Sequence, residues 1–153
     1  AMNIMEVAQN IRGGKLEFSD SAKEELEKVK DAVFEITSIT VEAFSSMNSD
    51  IAKRVEPLEE VIDDMVITLK NRHIERLKRG ECTTATGMAF VEALTNLERV
   101  ADQCSNVALL ILGEKYKEIM GNHHAYVREL HKGGDPIYNE ELSKRKEQFM
   151  VGL

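Results

Sequence analysis

Between Val91 and Leu112 the chain reads VEALTNLERVADQCSNVALLIL, and no other stretch restricts its fold as much. Leu94, Leu97, Ala101, Cys104, Ala108 and Ile111 recur every three or four residues, with Phe90 one turn earlier. That spacing puts them on one face of a helix, and such a face is stable only when buried. Beside the stripe run Glu98, Asp102 and Asn106, four apart, so their side chains stand over one another in successive turns. The rest of the chain must supply both what packs on the seam and what faces the acids.

Matching stripes lie upstream. Leu26, Val29, Val33, Ile36, Thr40, Phe44 and Met47 trace one line along a long helix whose opposite face is Lys and Glu. Ser19 is its expected N-cap, with Ser21 and Glu24 offering a capping box as the alternative. After a turn at Asn48-Ser49-Asp50, a second long helix is predicted from about Asp50 to Arg79. Its stripe is Ile51, Val55, Leu58, Ile62, Met65 and Leu69, ending near Leu77. Pro57 inside this pattern either bends the helix or opens a restarted one. Gly80 closes it, Thr83 or Thr84 caps the next, and that third helix runs to Leu112 or, past Gly113, to Met120.

Two prolines in 153 residues and few β-branched runs favour helix throughout. The expected fold is all-α: an up-down-up three-helix bundle over residues 18–120, joined by short connections. Residues 1–17 read as a linker with a short amphipathic helix, Asn3–Arg12, stopped by Gly13-Gly14. Residues 121–153 read as a helical extension. Its first piece spans His124–Lys132; its second, opened by Asp135-Pro136, reaches about Met150, and its charge places it on the outside of the bundle.

Composition removes several function classes. A net charge of −7 argues against a nucleic-acid partner, because phosphate binding needs a concentrated basic face. The longest apolar run, Val107 to Leu112, is far short of the ~20 residues a membrane span requires. No signal peptide is visible, and Ala1-Met2 reads as an added start, so a longer parent protein is expected. Cys82 and Cys104 would stand roughly 30 Å apart along an unbroken helix, beyond disulfide reach. They read as free thiols in a reducing compartment, Cys104 within the core.

Carboxylates are the first candidates for chemistry. Glu59 and Asp63 are four apart on the second long helix, as are Glu56–Glu60 and Glu60–Asp64; Glu98 and Asp102 are four apart on the third. Two such pairs facing across a bundle seam repel unless a cation lies between them, which is the physical case for a metal site. Spacing alone favours solvated helix faces for most of these acids. No Glu has a His three residues on, so the carboxylate-bridged di-iron pattern is missing. His73 reads as a partly exposed helix-end residue. His123, His124 and His131 read as surface residues of the extension, with metal binding the lesser reading. Gly13-Gly14 and Gly133-Gly134 lack the strand-then-helix setting of a phosphate loop.

The run L-E-R-V-A-D-Q-C-S-N-V-A at Leu97 to Ala108 resembles the E-R-x-x-D-x-x-x-N-x-A helix of PhoU-type domains. E-x-x-x-D at Glu59 to Asp63 falls where those domains carry their other acidic pair, and F-S-D-S-A-K-E-E-L at Phe18 to Leu26 resembles the start of their first helix. Taken whole, the chain looks most like the soluble C-terminal domain of bacterial sodium/phosphate cotransporters. The resemblance implies a three-helix bundle that modulates a phosphate transporter or its sensor kinase without a reaction of its own. Some such domains bind iron or zinc through the two acidic motifs, which here implies Glu59, Asp63, Glu98 and Asp102, with Asn106 a neighbour. One bundle repeat stands where the family pattern has two, and a homodimer would restore the second. The resulting expectation is a regulatory domain on the cytoplasmic side of the cell membrane, attached to the transporter part of the same protein. The rivals are a free-standing PhoU-like adaptor, a carboxylate–metal enzyme and a purely structural helical module.

Overall fold

The structure, a computed structural model, describes residues 17–116 and 121–153 together with positions 9, 13 and 119. The expected Asn3–Arg12 helix lies outside the described residues apart from Gln9; the third long helix passes Gly113 but stops at Lys115, where Tyr116 is extended, short of the longer expected end at Met120.

The first long helix, α1, spans Asp20–Ser46. Ser19 is its N-cap, accepting from the Ala22 backbone N–H, so the capping box at Ser21 is not the one used. Val29, Ala32, Val33, Ile36, Ile39, Thr40 and Ala43 are buried along it. The stripe therefore ends one residue earlier in phase than its spacing implies: Phe44 and Met47 are 62% and 56% exposed. Ala43 takes the inward position, and Met47 is the C-cap, where the helix has already stopped. Met47 sits there with φ of 48°, in the left-handed region that costs any residue with a Cβ. Met47→Gly is expected to stabilise the fold by about 0.5–1 kcal/mol, read as a higher urea midpoint at unchanged m-value.

A one-turn helix α2 (Ser49–Ala52), capped by Asn48, precedes α3 (Val55–Lys78). The expected single helix from Asp50 is thus broken at Lys53-Arg54, and Pro57 falls in the first turn of the restarted element, where its missing N–H costs nothing. α4 spans Thr84–Lys115, capped by Thr83, which accepts from the Thr86 N–H. Contacts give the directions. Phe18 meets Phe90, Thr37 meets Cys104, and Lys115 Nζ reaches Ser49, so α1 and α4 run parallel. Lys70 pairs with Glu98 and Ser105 with Glu56, so α3 runs against α4. This is the up-down-up arrangement, with Val29, Ile36, Leu58, Ile62, Met65, Leu69, Phe90 and Leu94 at its centre. Burying eight large apolar side chains at roughly 1.5–3 kcal/mol each is what opposes the chain entropy of ordering these helices.

Two shorter helices follow: α5 (His123–His131) and α6 (Pro136–Phe149), the latter capped by Asp135 with proline at the first helical position. α6 keeps its expected place on the outside of the bundle, lying along α3 with Tyr138 and Arg145 buried and most of its other residues exposed. Ion pairs do the docking: Arg145 to Glu35, Lys146 to Asp64 at 2.9 Å, and Arg54 to Glu141 at 3.9 Å, with Glu141 also holding Arg145 within α6 itself. Charge on a helix is compatible with an inside face when the partners are charges on neighbouring helices, which a single-helix pattern does not reveal.

His73 corrects another expectation. It is 2% exposed, stacked on Phe90 with centroids 4.6 Å apart, and its Nε2 faces the Cys82 sulfur at 3.7 Å. Burial, then the Arg76 charge, lower its pKa, so the ring is neutral. Both cysteines are free. Among the described residues no helix is long and apolar enough to cross a membrane.

Candidate metal centre

The restart of α3 at Val55 sets the phase of its acids. Counting from there, Glu56 and Glu60 share one edge of the helix and Glu59 and Asp63 the next, both edges flanking the buried stripe of Leu58, Ile62 and Met65. α4 runs antiparallel beside them and presents Asp102 and Asn106 one turn apart. The two helices thus bring Glu59, Asp63 and Asp102 together: one oxygen from each lies within 4.8 Å of the others. Glu98 does not join them. It lies one turn before Asp102 on α4 and is held by Lys70 Nζ at 2.8 Å, although its charge still acts on Asp63.

The three carboxylates open into a groove of about 550 Å³. Glu56, Ser105 and Asn106 line the same groove, and α5 closes its far side with His123, His124, Arg128 and His131. His124 and His131 are exposed, as expected, and His123 is half-buried; of the three, His131 reaches carboxylates, those of Glu56 and Glu60. Among the described residues, Arg128 is the only always-charged cation of the lining.

Crowded acids in a half-buried groove cannot all ionise easily. Glu59 is pushed up to about 9, first by burial and then by the charges of Glu56, Asp63, Asp102 and Glu60. Asp63 is pushed up to about 6, again by burial first, followed by Glu98 and Asp102. Asp63 Oδ1 is also buried without a hydrogen-bond partner, as is His123 Nε2 on the α5 side. Orphaned acceptors of this kind are rare in folded proteins and costly to leave unpaired. A divalent cation fits this donor set: three carboxylate oxygens at short mutual range, an unsatisfied acceptor among them, and excess negative charge around it.

Of the four acids that the resemblance implies as ligands, Glu59, Asp63 and Asp102 stand together and Glu98 does not. What sequence reasoning missed is Ser105, whose Oγ donates to Glu56 Oε2 at 2.5 Å; His131, read chiefly as surface, has its Nε2 3.2 Å from Glu56 and 3.4 Å from Glu60. Ser105 is one turn from both Asp102 and Leu109 on α4, so helical phase pointed to it; His131 is placed by a turn no periodicity encodes.

The comparisons with known proteins agree with this architecture. The PhoU domain family matches residues 26–111, which hold most of the three long helices and all four implied acids. A similar curated protein is the phosphate-specific transport system accessory protein PhoU homolog 1 of Thermotoga maritima, 25% identical over 104 residues. The match takes in 63% of this chain but only 45% of that protein, so the chain spans about half the length of the relative. No solved structure matches. With more than half its length matched by one domain family, this chain belongs to the PhoU domain family.

Proposed function

We propose that this domain regulates phosphate transport without catalysing a reaction, and that cation occupancy of the α3–α4 groove is part of its signal. The observation that carries the reading is the convergence of Glu59, Asp63 and Asp102, with an unpaired Asp63 oxygen, on the segment that matches the family. Glu59, Asp63 and Asp102 would hold the ion, with Glu98 adding charge from the next turn; when bound, a divalent cation supplies the positive charge this groove lacks. Phosphate alone is repelled by such a surface and would reach it only through a bridging cation.

The parent protein is proposed to be a sodium-dependent phosphate cotransporter, with this domain on the cytoplasmic side and the membrane part as its partner. The support is the likeness of the whole chain, extension included, to such C-terminal domains. A second reading, a free-standing adaptor of a phosphate transport system, is favoured by the match to an accessory protein. The relative's greater length also leaves room for a second bundle, which a homodimer of this chain would replace.

Phosphate uptake by cells carrying the whole parent protein tests the regulatory role. The doubly neutralised Glu59→Gln/Asp102→Asn protein is expected to change the phosphate dependence of uptake, while its expression stays at the wild-type level. Uptake curves that superimpose for the two proteins would remove the groove from any regulatory part. Membrane spans encoded upstream select the tethered form; a start codon just ahead of the domain selects the adaptor.

A further inference from the structure

α1 has neighbours on two sides. α4 covers one, where Thr37 meets Cys104, and α6 reaches the other through Arg145 to Glu35. Between those sides lies an outer face left open to solvent. Phe34 and Val41 stand on it two turns apart, at 74% and 59% exposure, and Phe44 borders it toward α4 at 62%. A single exposed apolar residue is ordinary, but three large ones along one helix face mark a surface that something covers.

α4 continues the face. Thr37 and Cys104 are 67 residues apart in the chain, and Ser49 and Lys115 are 66 apart, so the two parallel helices hold one register along their length. That register sets Val100, Val107 and Leu110 level with Phe34, Val41 and Phe44, as three successive rungs. Val100 and Val107 are half-buried, and Leu110 is 58% exposed. The positions around the rungs are uncharged: Thr37, Ser38 and Ser45 on α1, Asn96 and Gln103 on α4. Asp31, Glu35 and Glu42 lie along the edge toward α6. With its uncharged rim, a two-helix face of this length approaches the roughly 800 Å² per partner of a standard stable interface.

We propose that this α1–α4 face pairs with the same face of a second copy about a two-fold axis, so that four helices close over Phe34, Val41 and Phe44. Charge selects the occupant. Each copy carries a net charge of −7, so two copies repel wherever their acids meet. An uncharged face is where they approach at least cost, and pairing with itself asks for no complementary charge. The pairing gives the homodimer considered above its contact surface. It does not rest on cation binding, because the acidic groove opens on the α3 side of α4 and the paired face lies on its α1 side.

Sedimentation of the full chain from micromolar to millimolar concentration is the test. The wild type is expected to form a dimer that tightens with added salt, which screens the repulsion between two acidic copies and leaves apolar contact intact. Phe34→Glu and Val41→Glu, both at exposed positions, should keep the helical circular dichroism and each weaken the dimer by about a hundredfold. Met88→Glu, at an exposed apolar position off this face, should leave it unchanged. Wild type that stays monomeric at every concentration overturns the proposal. So does a dimer that salt dissociates, or one that survives both F34E and V41E. A monomer that floats with phosphatidylcholine vesicles until Phe34→Glu is introduced assigns the face to a lipid surface and overturns the pairing as well. Glu59→Gln/Asp102→Asn should dimerise like the wild type, so the pairing and the regulatory part of the groove fail or stand separately.

Discussion

Glutamine at position 59 is expected to raise the melting temperature of ion-free protein at pH 8 by roughly 4–8 °C, the equivalent of about 2 kcal/mol. Removing a carboxylate usually gains a fold nothing; here burial and four neighbouring acids keep the group from ionising, so at this pH folding must take up a proton that glutamine does not need. The native Glu59 carboxyl holds its proton to about pH 9, against 4.5 for the ordinary group. The folded protein thus binds a proton that the unfolded chain releases, and stability falls as pH rises from 4.5 toward 9. Asp63, raised to about 6 from 3.8, adds the same trend in a lower and narrower window. The benefit of Glu59→Gln should therefore be absent near pH 4 and grow steadily above it. Melting curves of both proteins across pH 4–9 without metal check this. A variant less stable than wild type, or an advantage independent of pH, would contradict the electrostatic account. A saturating divalent cation should reverse the order, because at a hundred times its Kd an ion stabilises the wild type by about 2.7 kcal/mol. The variant, lacking one of three ligands, gains much less.

That reversal also shows how far the sequence could be read. Helical phase alone puts Glu59 and Asp63 on one edge of α3 and Asp102 on an edge of α4, and an antiparallel pairing then turns the edges toward each other. Glu98 looked equivalent to Asp102 by the same phase. It is removed by Lys70, a residue of the opposite helix whose reach across the seam depends on register and rotamer. Periodicity carries neither quantity. The same gap explains Phe44: a stripe defines an apolar direction, but Ala32 and Ala43, small enough to let neighbouring helices approach, decide which direction becomes the inside. Caps were legible because Ser19, Thr83 and Asp135 act within one turn of themselves. The docking of α6 was not, since it is a set of long-range ion pairs, Arg145 to Glu35 chief among them. A charged helix looks solvated until its partners are known.

Phe90→Ala is expected to cost about 4 kcal/mol, near the upper range for an aromatic truncated in a core, and to lower the melting temperature by roughly 8–16 °C. The ring is fully buried and stands where three helices meet. It takes Phe18 edge-on at 5.9 Å from the start of α1, stacks on His73 near the end of α3, and lies 5.4 Å from the Arg76 guanidinium. Its loss is not confined to its own volume. The imidazole of His73 would lose its stacking partner, and the place cannot close up freely because the Gly87 backbone of α4 already sits against it. Even a Cβ at Gly87 would come within 3.0 Å of His73 Nε2. The freed imidazole should in turn release Cys82, whose sulfur faces that nitrogen at 3.7 Å from the α3–α4 turn. Thiol labelling separates this local loosening from a general one. In Phe90→Ala, under conditions where the protein stays folded, Cys82 should label faster than in wild type. Cys104, buried beside Thr37 more than three turns along α4, should keep its wild-type rate. Equal acceleration at both thiols would mean that Phe90 supports the bundle as a whole, not the junction at its α3–α4 end.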